Sequence, residues 1–220
     1  MEKLSVVLLS WKRPKNIPII LNKLYAVKRV DEIVLWNNNP EITFSYKNPK
    51  LQVINSPINY GPIIRYCLTG ILKNNNIMFQ DDDLYHTKEQ IEKLFLAYVK
   101  DTSRIYGPLG RNLENFKYIK KNSWGNVDIV IGRTTLFHKR HLYKFFKYLG
   151  SWNGVFEDDD ILFSFALKRK HRVVDIGGIN ELPNINALSK RPGRINERQE
   201  MVDYCLKRIP GLRKVIVLND

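Results

Sequence analysis

The chain has 220 residues, 44% hydrophobic and 26% charged, and its 36 Lys and Arg against 22 Asp and Glu give a formal net charge of +14. That length suffices for one sizeable core, and the chain carries no internal repeat, no low-complexity tract and no run near the roughly 20 apolar residues of a membrane helix. The only cysteines, Cys67 and Cys205, lack partners at metal spacing, which excludes a disulfide framework and a cysteine-based zinc site, while the charge predicts attraction to a polyanion such as nucleic acid, an acidic glycan or an anionic membrane surface.

The Met1 to Ser10 segment lacks a small-residue cleavage site and runs into Trp11, Lys12 and Arg13, so Leu4 to Leu9 reads as a first strand and the chain as cytoplasmic. Pro14 opens a helical pattern through Ile17, Ile20, Leu21 and Leu24. Glu32 to Trp36 is a second strand, stopped by Asn37, Asn38, Asn39 and Pro40. Leu51 to Ile54 is a third, leading through Asn59 and Gly61 to a helix near Ile63 to Leu72. Ile77 to Phe79 is a fourth, and Thr87 with Gln90 forms a capping-box signal for a helix through Ile91, Leu94, Phe95 and Tyr98.

Strands are then expected over Ile105 to Leu109 and Asp128 to Ile131, with a basic, turn-rich stretch from Arg111 to Gly125 between them. Helices are expected over Leu142 to Leu149 and Ile161 to Leu167, separated by an aromatic loop at Ser151 to Phe156. Val173 to Ile176 reads as a late strand. Residues 177–198, with Pro183, Pro192 and Gly193, read as a mobile loop before a last helix at Met201 to Arg208. This alternation predicts a single α/β domain over residues 1–220, a mainly parallel sheet flanked by helices. The chain divides at about residue 85 into halves of about 1–85 and about 86–220.

Two acidic triplets stand out: Asp81, Asp82 and Asp83 at the end of the fourth strand, and Asp158, Asp159 and Asp160 behind Glu157. Adjacent carboxylates repel, so such clusters sit where a cation relieves them. The second triplet could equally cap the helix that follows it. Carboxyl ends of strands are where open α/β sheets bind ligands, and hard divalent cations prefer carboxylate oxygens. An Asp-X-Asp segment placed there suits a metal that offsets charge on a departing diphosphate.

The segments Val6 to Arg13, Ile33 to Asn38, Met78 to Asp83 and Glu157 to Ile161 resemble, in order and spacing, the nucleotide-sugar glycosyltransferases of the GT-A (Rossmann-like) fold, and most of all the exostosin-type catalytic domain. The resemblance covers about residues 4 to 176 and implies a nucleotide-binding half at about 1–85 and an acceptor-binding half at about 86–220. It implies that Trp11 and Arg13 flank a nucleobase, Asn38 positions it, and Asn59 and Arg65 contact nucleotide, phosphate or sugar. It further implies Asp81 near the ribose and metal, Asp82 at metal or donor sugar, and Asp83 on Mn2+ or Mg2+, with a UDP-sugar as donor. Asp160, then Asp159, would be the catalytic carboxylate.

Trp152 to Asp160 is also similar to a segment of inverting galactosyltransferases, which leaves retention or inversion open. The late basic residues Arg191, Arg194 and Arg198 suggest a lid over the diphosphate, with Arg194 in the catalytic set. No C-terminal histidine completes a metal shell, and His171 reads as structural. For the acceptor, charge favours a polyanion, for example hydroxymethylated DNA of a phage or virus, or an acidic or lipid-linked glycan. The alternatives are a non-catalytic nucleic-acid-binding protein on the same scaffold and a nucleotidyltransferase; against the latter, no Gly-rich phosphate loop follows the first strand.

Overall fold

Leu4–Ser10 (β1) is buried at every position but Leu9, and it pairs in parallel on both sides, with Val30–Asn37 (β2) and with Asn76–Asp81 (β4). β2 pairs onward with Leu51–Asn55 (β3). Strands covered on both faces read as continuous apolar runs, which is the pattern of these sequences. The computed structural model describes residues 1–150, 157–184 and 190–217. The loop expected at Ser151 to Phe156, and part of the expected 177–198 loop, lie outside the described residues.

Beyond β4 the sheet continues through Tyr106–Gly107 (β5), Gly125–Val127 (β6), Thr134–His138 (β7) and His171–Val173 (β8), in the overall order β6-β8-β5-β7-β4-β1-β2-β3. β7 runs antiparallel to both β4 and β5, and β6 antiparallel to β8, while the other strands run parallel. The expected mainly parallel sheet is therefore present, with a mixed half.

Side-chain alternation along the strands splits the core in two. Val6, Leu8, Ile33, Leu35 and Met78 pack under Ile17–Tyr25 (α1) and Lys88–Tyr98 (α3). Val7, Val34, Phe79 and Phe137 face Leu142–Leu149 (α4), Asp159–Ala166 (α5), Arg194–Arg208 (α6) and Leu212–Val217 (α7). α1 buries Ile17, Ile20, Leu21 and Leu24, one face at helical spacing. α3 starts at the Thr87/Gln90 capping box. The short helix Ile64–Cys67 (α2) is held by Tyr66, which stacks on Phe145 at 3.9 Å and meets Phe79 and Phe163 edge-on. That aromatic anchor fixes the neighbouring Arg65 between β4 and α5.

Several expectations are corrected. β7 was not expected; it covers the otherwise open edge of β4, whose backbone groups need partners. The late strand lies at His171–Val173, two residues early, because its register is set by β5 and β6. The basic stretch after Arg111 contains a hairpin, Leu113–Glu114 with Lys117–Tyr118, turned by Asn115 and Phe116, both at positive φ. The last long helix begins at Arg194 rather than Met201, and Asn180–Glu181 pairs with Leu84–Tyr85. Breaker residues marked that segment as loop, but tertiary ion pairs to Arg194 and Arg198 override them.

Candidate active site

The ends of β1, β2 and β4 meet at one edge of the sheet, and β4 delivers Asp81 as its last residue. Asp81 accepts from the Arg65 Nη1 at 3.1 Å. Asp82 turns the other way and is buried: its carboxylate accepts from the Trp11 backbone N–H at 3.0 Å and from Arg13 Nη1 at 2.5 Å. Asn16 adds a bond to the Asp82 carbonyl at 2.8 Å. Asp82 thus pins the turn after β1 to the end of β4. Asp83 pairs through Oδ1 with Arg133, at 2.9 Å from Nη2 and 3.2 Å from Nε.

The second corner is the first turn of α5, where the macrodipole favours carboxylates. Asp158 is buried and takes a two-pronged contact from Arg194, at 2.6 and 2.9 Å, and a third from Arg198 at 3.0 Å. Both oxygens of Asp160 lie 3.1 Å from Arg198 Nη2, and Oδ2 also accepts from the Gly132 backbone N–H at 3.0 Å. The Arg198 guanidinium lies 4.7 Å over the Tyr118 ring. Asp159 differs: its buried Oδ2 has no hydrogen-bond partner among the described residues, and Arg65 Nε is 3.4 Å away.

Arg65 therefore joins the two corners. Its Nη1 also donates to the Gly132 carbonyl at 3.0 Å, so Gly132 holds Arg65 with its oxygen and Asp160 with its nitrogen. A Cβ at Gly132 would sit 3.2 Å from the Asp160 Cβ, so a larger residue here would require Asp160 to give by a few tenths of an ångström. A cavity of about 660 Å³ opens here, with Asp81, Asp83, Asp159 and Asp160 lining it beside Arg13, Arg65, Arg111, Arg133, Arg191, Arg194 and Arg198.

Burial pushes Asp81 up to about 6; Arg65 opposes this, and the neighbouring charges of Asp83 and Asp82 add to it. Asp159 is pushed to about 6 by burial, with Arg65 opposing and Asp160 and Asp81 reinforcing. Burial alone would lower the Arg65 guanidinium, but Asp159 and Asp81 hold it above the ordinary arginine range. Crowded carboxylates with raised values, facing a cleft, are the mark of a site built for a cation or a proton transfer.

No cluster of three or more His, Cys, Asp or Glu among the described residues could hold a metal alone. Asp81 and Asp83 nevertheless line one cavity with hard oxygens, and Mg2+-type ions commonly take one or two carboxylates and complete their shell with substrate phosphates. The residues fit a cation shared with a ligand's diphosphate. His171 is remote and satisfied, its Nδ1 accepting from Ile105 N–H at 3.2 Å and its Nε2 lying 2.8 Å from the Ser164 carbonyl, as expected of a structural histidine.

The other sequence-predicted residues lie off the cavity lining. Asn38 spends its amide on the Gly61 carbonyl, the Tyr60 N–H and the Trp36 indole. Asn59 is exposed and accepts from Gly61 N–H at 2.8 Å. Trp11 is half-buried, with the Lys12 ammonium 4.1 Å over its ring. Gly132, Arg133 and Glu181 were missed; a Gly-Arg pair closing the apolar run Ile129 to Ile131 was the available signal.

The model of the glycosyl transferase family 64 domain matches residues 4–201. The chain belongs to this family. No curated protein matches it. Among solved structures, GalNAc-T7 with UDP, GalNAc and Mn2+ is similar at TM-score 0.64 and 13% identity, over 87% of this chain and 45% of that one. TarS 1–349 of S. aureus is similar at TM-score 0.58 and 16% identity, over 93% of this chain and 65% of that one. The family 64 domain thus spans less than two thirds of either. These likenesses show the GT-A fold expected from the sequence. No helix among the described residues is long and apolar enough to cross a membrane.

Proposed function

We propose that this family 64 domain moves a sugar from a nucleoside-diphosphate sugar, with UDP as the favoured carrier, to a hydroxyl of a polyanionic acceptor. One observation carries the reading: two aspartate corners separated by about a third of the sequence line a single cavity and share Arg65. Arg65, Arg13 and the cluster Arg191, Arg194 and Arg198 supply positive charge for the diphosphate, and the resemblance assigns Trp11 and Asn59, which lie outside the cavity lining, to the nucleoside. Asn38 and Asp82 act by positioning, since their polar atoms already hold the Tyr60–Gly61 turn and the turn after β1. Mn2+ or Mg2+ would be held by Asp83 and Asp81 and would supply charge neutralisation to the leaving diphosphate.

Asp159 ranks ahead of Asp160 as the reacting carboxylate. Asp160 is tied to Arg198 and Gly132, whereas Asp159 Oδ2 has no hydrogen bond among the described residues, pairs with Arg65 at 3.4 Å, and has a raised proton affinity near working pH. In an inverting reaction Asp159 takes the acceptor hydroxyl's proton while that oxygen bonds to the anomeric carbon. The anomeric carbon–phosphate oxygen bond breaks, and its electron pair leaves with the diphosphate. In a retaining reaction the same carboxylate faces a cationic sugar centre.

The acceptor side is the rim carrying Arg111, Tyr118 and Lys120; Trp124, close to them in sequence, is exposed. With the net charge of +14, this rim favours an anionic acceptor such as hydroxymethylated DNA or an acidic or lipid-linked glycan. The test is incubation with a panel of nucleotide sugars and Mn2+. Metal-dependent release of nucleoside diphosphate is expected, and pyrophosphate release from a triphosphate and sugar phosphate would overturn the reading. Acceptor binding should fall steeply with salt.

A further inference from the structure

Each aspartate of the first corner has an arginine partner: Arg65 for Asp81, Arg13 for Asp82 and Arg133 for Asp83. Arg65 has a second acidic partner in Asp159 of the other corner, and Arg133 has one in Glu181, outside both corners. The Arg133 Nη1 and Nη2 contact the two Glu181 oxygens at 2.8 and 2.6 Å. The backbone fixes this arrangement. The Arg133 carbonyl accepts from Asp81 N–H at 2.9 Å, the Leu182 N–H donates to the Asp83 carbonyl at 2.8 Å, and Glu181 is in register with Leu84. Arg133, Asp83 and Glu181 are therefore held together by three chain segments, and this is not a chance surface contact.

We infer that Arg133 is an internal counter-cation that competes with the divalent metal for Asp83, with Glu181 as the residue that draws it back. This rests on the metal-dependent reading above and adds to it a residue that sets metal affinity. A guanidinium 2.9 Å from Asp83 Oδ1 occupies that oxygen and would repel a second cation brought to the same carboxylate. Glu181 offsets that repulsion by sharing the charge. The consequence is a site that binds metal poorly alone and well once a diphosphate adds its own oxygens and negative charge. Metal and nucleotide then load together, which limits idle metal binding in the open cavity.

The test is a titration with Mn2+ alone, followed by the electron paramagnetic resonance signal of free Mn2+, then repeated with saturating UDP. Arg133→Met should tighten Mn2+ alone by about tenfold, and should narrow the gap between affinities with and without UDP. Glu181→Gln should act in the opposite direction, weakening Mn2+ because Arg133 then faces Asp83 undiluted. Arg133→Lys, which keeps the charge, should stay close to wild type and guards against a folding defect in Arg133→Met. A purely structural role would weaken metal binding in both Arg133→Met and Glu181→Gln, and that result overturns the inference, as does wild-type affinity in Arg133→Met. Absence of Mn2+ binding in every variant, with and without UDP, would remove the metal-dependent reading itself and this inference with it.

Discussion

The two acidic corners use the same three-residue motif in opposite settings. In the first, Asp81, Asp82 and Asp83 end a strand, and each takes a different arginine, from α2, from the turn after β1 and from the approach to β7. In the second, Asp158 and Asp160 open a helix and share Arg198. In both, one aspartate is sacrificed to architecture: Asp82 pins the turn after β1, and Asp158 anchors the start of α6. The lesson is that members of one acidic triplet can differ in how many hydrogen bonds their oxygens accept. Asp159, the carboxylate proposed to react, keeps an Oδ2 with no hydrogen bond among the described residues, paired with the Arg65 that it shares with Asp81.

The sharpest way to break that comparison is at the reacting carboxylate. Asp159→Asn should lower turnover by about 100- to 10,000-fold, the range of a lost general base, with donor binding within a few-fold of wild type. Diphosphate release and calorimetric UDP binding check both halves. Asp160→Asn should cost less, and the reverse order would restore Asp160 as first choice.

Next comes architecture. Asp158→Ala leaves Arg194 and Arg198 without their shared buried partner and should destabilise the fold by about 3–5 kcal/mol, read by urea unfolding. Asp82→Ala should cost less, because Arg13 is more exposed than Arg194. Arg194→Ala should behave like Asp158→Ala in stability. If it instead lost only turnover, the residue would belong with the chemistry, as the sequence resemblance implied. Unchanged donor affinity and turnover would end the lid reading.

A smaller, pH-dependent effect follows from Asp81 and Asp159. Both carboxyls titrate higher in the folded chain than in the unfolded one. Between about pH 4 and 6 the folded state holds more protons, so their contribution to stability falls as pH rises through that window and is flat above it. Difference titrations of Asp81→Asn and Asp159→Asn against wild type isolate this slope from the exposed carboxylates, which act in the opposite sense. Turnover should rise through about pH 6 as Asp159 ionises.

The smallest effect is expected at Gly132. Gly132→Ala forces the Asp160 side chain to give by a few tenths of an ångström, and should lower stability by about 1 kcal/mol. Its turnover should drop less than that of Asp159→Asn. An unaffected variant would mean that the crossing of Arg65 and Asp160 on Gly132 tolerates slack.

What the sequence determined by itself is local or periodic. Apolar runs with β-branched residues fixed β1, β2 and β4, and Thr87 with Gln90 fixed the start of α3. The placing of Asp81 to Asp83 at a strand end followed from the run before it, and His171 read as structural from its setting beside a strand. The GT-A fold was legible because several such signals occur in order.

What only the tertiary structure decided is pairing across the chain. Arg133 meets Asp83 from 50 residues away, and Arg198 meets Asp160 from 38. Nothing local says which arginine among so many will find which aspartate. β7 was invisible for the same reason: Thr134 to His138 becomes a strand because the edge of β4 needs backbone partners. The proposed choice of Asp159 over Asp160 rests on which oxygen has no hydrogen bond. That depends on the crossing of α5, Gly132 and α6, a property of three-dimensional packing that residue order does not encode locally.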